Sequence, residues 1–134
     1  LVTMVLVVGA QHPLASKDKI CQEDLVSATQ IVVRDTGPDK NKQDAGWLKS
    51  HQRITVDNFD HALEAVRSGI GFCRVPIHLL KATDADRLVQ LNMLGGTRFQ
   101  IPIHLVAPKE GQTGPAAMAL YDLLLSQGQE RVGK

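Results

Sequence analysis

The run from Arg53 to Pro76 constrains the fold more than any other part of the chain. Ile54 and Val56 alternate with polar neighbours, the period-two pattern of a half-buried strand. Asp57 stands where a helix cap belongs, with Asp60 three residues on in the first turn. Phe59, Ala62, Leu63 and Val66 then recur at i, i+3, i+4 and i+7, so a helix over 58–68 carries one apolar stripe. Gly69 stops that helix where a positive φ costs little. The segment from Gly69 to Val75 reads as a short buried strand ending at Pro76. A strand–helix–strand unit with parallel strands is the building block of α/β ligand-binding domains.

The flanking sequence extends the pattern. An apolar strand is expected over 2–8; it lacks the basic start of a signal peptide and is too short to span a membrane. A His-Pro strap at 12–13, a short helix near Gln22–Ser27 and a strand over Gln30–Arg34 follow. Asp35–Gln52 is polar and holds Gly37, Pro38 and Gly46, which predicts a loop with one helical turn near Trp47. Beyond Pro76 the chain predicts a helical turn to Lys81, a turn over Asp84–Arg87 and a strand over Leu88–Leu91. A Gly95-Gly96 turn and a strand over 101–107 come next. Pro115 opens a last helix over 115–127, with a stripe of Ala117, Leu120, Tyr121 and Leu124 and a stop at Gly128. Pro-Ile-His-Leu occurs at 76–79 and 102–105, but the flanks differ and no repeat is implied.

A length of 134 residues fits one domain or part of one. Fifteen basic against fourteen acidic residues leave +1, so bulk charge does not draw the chain to nucleic acid or an anionic membrane. Cys21 and Cys73 are the two cysteines, and no Cys-x-x-Cys or Cys/His cluster points to zinc. So few cysteines fit a reducing compartment, and Cys73 in a buried strand reads as a small core residue.

No G-x-S-x-G, P-loop or dinucleotide fingerprint occurs, and none of the five histidines has a second at i+4. The residues therefore predict no catalysis, no metal and no cofactor, and point to binding. In open α/β sheets ligands collect at the C-terminal ends of strands. Those ends here carry Arg34, Asp35 and Thr36, then Asp57 and Asn58, then Val75 and Pro76. These seven are the candidate binding residues. All but Thr36 have a competing structural role: a surface ion pair for Arg34 and Asp35, helix initiation for Asp57 and Asn58, strand-end packing for Val75 and Pro76. The amides at 58–60 favour an anion, a field that Asp57 partly cancels.

Val66-Arg67-Ser68-Gly69-Ile70-Gly71-Phe72-Cys73-Arg74-Val75-Pro76 resembles the "aVraGlGfallP" segment of LysR-type transcriptional regulator effector-binding domains. His12-Pro13-Leu14-Ala15 is similar to the family's "HPLA", and Leu88-Val89-Gln90-Leu91 to its "grLvpL". Ile103-His104-Leu105-Val106 with the helix at 115–127 is similar to its "lylv" strand and terminal helix. The resemblance runs over nearly the whole chain. It implies an α/β, periplasmic-binding-protein-like (type II) subdomain. Its central sheet would be mixed, mostly parallel and flanked by helices, with a crossover strand and a C-terminal helix added.

In that family two subdomains hold the effector between them. By resemblance, residues 10–100 form the second subdomain. Residues 1–9 and 101–134 supply crossover strands and a C-terminal helix belonging to the first. Asp35 and Thr36 line the cleft in this comparison. The family's Ser/Thr cluster, its winged helix-turn-helix and its linker helix have no counterpart here, so a piece of a longer protein is expected. The implied function is that of a cytoplasmic, non-enzymatic sensor domain. A small-molecule effector would modulate DNA binding allosterically, in a dimer or tetramer that touches DNA only through a domain outside these residues and touches no membrane. The helix at 58–68 is the expected partner-facing element. The alternative is a stand-alone solute-binding domain or a small α/β enzyme, which would show a secretory signal or a converging nucleophile and base.

Overall fold

The structure, a computed structural model, describes residues 1–38, 47–96, 98–109 and 113–132. Much of the loop expected between Asp35 and Gln52 lies outside the described residues, and Trp47 to Ser50 adopt no helical turn.

Strand β1 (Val2–Gly9) carries Met4, Val5, Leu6, Val7 and Val8 in succession, all buried. An unbroken apolar strand needs cover on both faces. Val5 and Val7 enter one core with Ile31, Ala62, Leu63, Val66, Cys73 and Val75. Leu6 and Val8 enter a second with Leu14, Ile20, Leu25, Phe72 and Leu91. The sheet thus separates two apolar layers.

The remaining elements are α1 (Gln22–Ser27), β2 (Thr29–Val33), β3 (Gln52–Val56), α2 (Phe59–Arg67), β4 (Phe72–Pro76), β5 (Leu88–Gln90), β6 (Phe99–Ile101) and α3 (Pro115–Val132). Short 3-10 turns occupy Pro13–Ser16, Ile77–Leu79 and Ala82–Asp84. The strand order is β3-β2-β4-β1-β5, with β6 also paired to β1. β2 is parallel to β3 and β4, and β1 is antiparallel to β4 and β5. The sheet is mixed, as expected. β3 and β4 share a direction, but β2 lies between them.

The chain divides into two compact units. One is Thr3–Gln100, with the sheet, α1 and α2; the other is Leu1–Val2 with Ile101–Lys134. Within the second, α3 leaves Met118, Leu120, Leu123, Leu124 and Leu125 exposed. Of the stripe expected there, only Tyr121 is half-buried.

Helix α2 buries Ala62, Leu63 and Val66 against the first core, so its stripe faces inward. Its outward side is polar, with Asp60, His61 and Glu64 exposed. The cap differs from the sequence expectation: Asn58, not Asp57, accepts from the His61 N–H through Oδ1 at 2.9 Å. At the other end Gly69 has φ 79°. The Gly69 N–H donates to Val66 O and the Ile70 N–H to Ala65 O, which closes a Schellman motif.

Two further expectations are corrected. The strand expected over 101–107 is paired only to Ile101 and starts earlier, at Phe99. Pro102 follows with no N–H to donate to a ladder. Helix α3 continues through Gly128 to Val132. One glycine costs a helix interior only about 1 kcal/mol against alanine, and Gln127, Gln129, Glu130 and Arg131 around it all favour helix.

Gly71 lets β4 approach β2. A Cβ there would lie 2.1 Å from the Thr29 carbonyl oxygen, a backbone atom that cannot turn aside. We expect Gly71→Ala to cost about 3 kcal/mol, the upper end for overpacking, as read by urea unfolding.

A buried ion pair ties α2 to the Ala82–Asp84 turn. Arg67 donates Nε to Asp84 Oδ1 at 2.8 Å and Nη2 to Oδ2 at 3.1 Å. The Lys81 N–H adds a third bond to Oδ2 at 3.0 Å. The Arg67 hydrogen bonds, then that of Lys81, hold the Asp84 carboxyl below its ordinary range. The stabilisation is present above the unfolded carboxyl pKa of about 3.9 and fades as pH falls through the lower folded value. Asp84→Asn should therefore be less stable than wild type at pH 7. The deficit should shrink below about pH 4, as measured by urea midpoints across that range.

Candidate functional site

Three parallel strands, β2, β3 and β4, bring their C-terminal ends to one edge of the sheet. β2 and β3 are in register from Thr29↔Gln52 to Val33↔Val56, so Arg34 and Asp57 leave the sheet side by side. The Arg34 N–H donates to Val56 O at 2.8 Å, carrying the ladder one residue past β2. Arg34 Nη2 then lies 3.3 Å from Asp57 Oδ1, with both side chains well exposed. The ion pair that the sequence suggested for Arg34 exists, but with Asp57 rather than Asp35. Asp35 Oδ1 instead accepts from the Gly37 N–H at 2.8 Å, which bends the chain away from β2. Thr36 sits on that bend, exposed.

The other candidates have structural duties. Asn58 is the α2 cap. Val75 is fully buried among Val5, Ile31 and Ala62. Pro76 is buried opposite Met4 at the end of β4. The edge therefore offers Arg34, Asp35, Thr36, Asp57 and Asn58 to solvent, while Val75 and Pro76 are buried at the end of β4.

Arg74 was missed by the sequence reading. It interrupts the buried run Phe72-Cys73-Arg74-Val75, and a charge inside such a run was the signal. Burial lowers its pKa. Its Cζ lies 4.5 Å from the centre of the Phe99 ring. Gln30 was missed as well. It is buried in β2, and its Oε1 accepts from the Leu48 N–H at 2.8 Å, fixing the approach to β3.

The thiols are not poised for chemistry. The Cys21 thiol donates to Asp24 Oδ2 at 3.1 Å, a bond that raises its pKa. The same carboxylate accepts from Lys17 Nζ at 2.6 Å and from the Cys21 N–H at 3.0 Å, which closes the first turn of α1. Burial pushes the Cys73 thiol up to about 12, and a thiol held protonated is a poor nucleophile. Among the described residues no group of three or more His, Cys, Asp or Glu is arranged to hold a metal, and no helix is long and apolar enough to cross a membrane.

Because Asn58 caps α2, replacing it acts on the helix first. Asn58→Ala should lower stability by about 0.5–2 kcal/mol, with or without any ligand. Asp57→Ala should stay within about 1 kcal/mol, because it removes an exposed pair. Thermal unfolding of both variants reads the difference.

The LysR substrate binding domain model matches residues 2–129. No curated protein matches the chain significantly. Among solved structures, the regulatory domain of CcmR from Synechocystis, in complex with 2-PG, matches with TM-score 0.64 at 15% identity, covering 93% of this chain and 62% of that one. The effector binding domain of QuiR, in complex with shikimate, matches with TM-score 0.62 at 21% identity, covering 97% and 64%. The regulatory domain of MetR, a LysR family regulator from N. meningitidis, matches with TM-score 0.52 at 20% identity, covering 72% and 47%. The chain therefore spans less than two thirds of the length of each of these three, and at such identities the likeness is one of fold. The fold is the periplasmic-binding-protein-like type, and by the match along nearly its whole length the chain belongs to the LysR substrate binding domain family.

Proposed function

We propose that this chain is effector-sensing sequence of a LysR-type transcription regulator. It takes a small-molecule effector at the edge formed by the C-terminal ends of β2, β3 and β4. The observation that carries the reading is the family match over residues 2–129 on a chain whose parallel strands end together. Solved domains of this fold bind 2-PG and shikimate in the complexes named above.

In this reading Thr36 is the hydrogen-bonding contact. Its hydroxyl stands exposed past β2, whereas the Asn58 side chain is committed to its helix. Arg34 and Asp57 frame the same edge as a mutually neutralising pair. Binding would bias the geometry of the regulator, a coupling between sites and not a reaction. The chain acts in the cytoplasm, as part of a homo-oligomer, and reaches DNA through sequence outside these residues. With the α2 stripe turned inward, a partner would meet only the polar side of that helix.

A thermal-shift screen of small metabolites on the full-length regulator identifies the effector, because a ligand of the native state raises the melting temperature. Thr36→Val should then weaken effector affinity about two- to twelvefold, the worth of one neutral hydrogen bond, and leave the ligand-free melting temperature unchanged. Unaltered affinity would remove Thr36 and the proposed edge contact.

A further inference from the structure

We propose that His12 is an acid-sensitive latch: protonation of its imidazole uncaps the Pro13–Ser16 turn and releases that strap from the core beneath it. The inference is independent of the effector reading, because the strap lies at the other end of the sheet. It leaves β1 beyond Val8, which pairs with Phe72 at the start of β4, whereas the effector edge lies past Pro76.

The turn opens with a proline, which has no N–H, so the Leu14 N–H is the first donor that the turn itself leaves unsatisfied. His12 Nδ1 accepts that N–H at 3.1 Å. A ring nitrogen accepts only while it carries no proton, so the neutral ring bears its proton on Nε2. Protonation makes Nδ1 a second donor facing the Leu14 N–H, and the attraction becomes a repulsion.

Burial acts in the same direction. His12 is half-buried, and the loss of water lowers its pKa from the ordinary imidazole value. The end of β1 meets the last turn of α2 at the Val66 carbonyl, where the charges are Glu64 and Arg67. Arg67 is paired with Asp84 and with Glu64. The Ala10 N–H donates to Arg87 O, which brings in Asp86 and Arg87, both exposed. After the turn, Lys17 is paired with Asp24, and Asp18 and Lys19 are exposed. Burial, not any of these charges, moves the His12 pKa.

With the neutral ring favoured in the fold, the latch holds fully above the unfolded imidazole pKa of about 6.5. It loosens as pH falls through the lower folded value. What it holds is Leu14, which is buried in the second core beside Leu6, Phe72 and Leu91. The opening is local. The His12 N–H bond to Gly9 O and the Ala15 N–H bond to His12 O, both 2.9 Å, involve no ring atom and keep the strap tethered to β1.

The test follows hydrogen exchange at the Leu14 amide on both sides of about pH 6.5, with the His12 ring titrated by NMR in the same samples. Leu14 protection, corrected for the intrinsic exchange rate, should fall about two- to thirtyfold as the ring protonates, the worth of a lost helix cap. The Val7 amide in β1 should keep its protection. His12→Asn retains an acceptor oxygen that does not titrate, so its Leu14 amide should be protected alike at both pH values. Leu14 protection that ignores the His12 titration overturns the proposal. So does an equal fall at Val7, which marks a global loosening, and so does an unchanged pH dependence in His12→Asn. The wild-type comparison of Leu14 with Val7 decides the matter even if the variant fails to fold.

Discussion

Strand β1 is the element on which the rest depends. It is hydrogen-bonded to β4 along one side and to β5 along the other. Its alternate side chains enter two different cores. Five consecutive apolar residues cannot be left half in water, so α2 must cover one face and the segment from Leu14 to Leu25 the other. The antiparallel pairing with β4 also fixes where β4 ends, at Pro76 opposite Met4. Since β4 pairs with β2 and β2 with β3, the C-terminal edge of all three is set from β1 outward.

Close backbone contact tightens that arrangement. Gly71 brings β4 against the Thr29 carbonyl, and Gly9 brings the end of β1 within 2.5 Å, measured from a would-be Cβ, of the Val66 carbonyl at the end of α2. The Arg67–Asp84 fork then fastens α2 to the turn before β5. The segment resembling the LysR family pattern, Val66 to Pro76, is thus the stretch where a helix stop, a glycine contact and a buried strand must coincide. Its residues are constrained by packing before any ligand is considered.

What could be read in advance followed from local period and turn chemistry. The α2 stripe, the Gly69 stop and the short helix at Gln22–Ser27 were visible because helix spacing and caps are written in adjacent residues. The position of β2 between β3 and β4 was not, because strand order is a property of the whole sheet. Asp57 and Asn58 are both good caps, and only the start of the helix at Phe59 decides between them. At the site, Arg34 and Asp57 were named separately, yet their pairing needed the β2–β3 register. Asp35 proved to shape its own turn. Arg74 lay in plain view as a charge in an apolar strand, but its lack of a partner is visible only in three dimensions.

The edge combines a buried strand end with exposed polar residues. Val75 and Pro76 lie buried at the end of β4, while Arg34, Thr36 and Asp57 stand free of the packing that holds the sheet. Such a division lets a binding surface vary in chemistry without disturbing the fold under it. A crystal structure of the protein with the proposed effector bound tests the account most directly. The account predicts ligand density at the C-terminal ends of β2, β3 and β4, with an oxygen or nitrogen of the ligand within hydrogen-bonding distance of the Thr36 hydroxyl. Density at the opposite edge, beside Thr29, Gln52 and Gly71, or away from the sheet altogether, would contradict it.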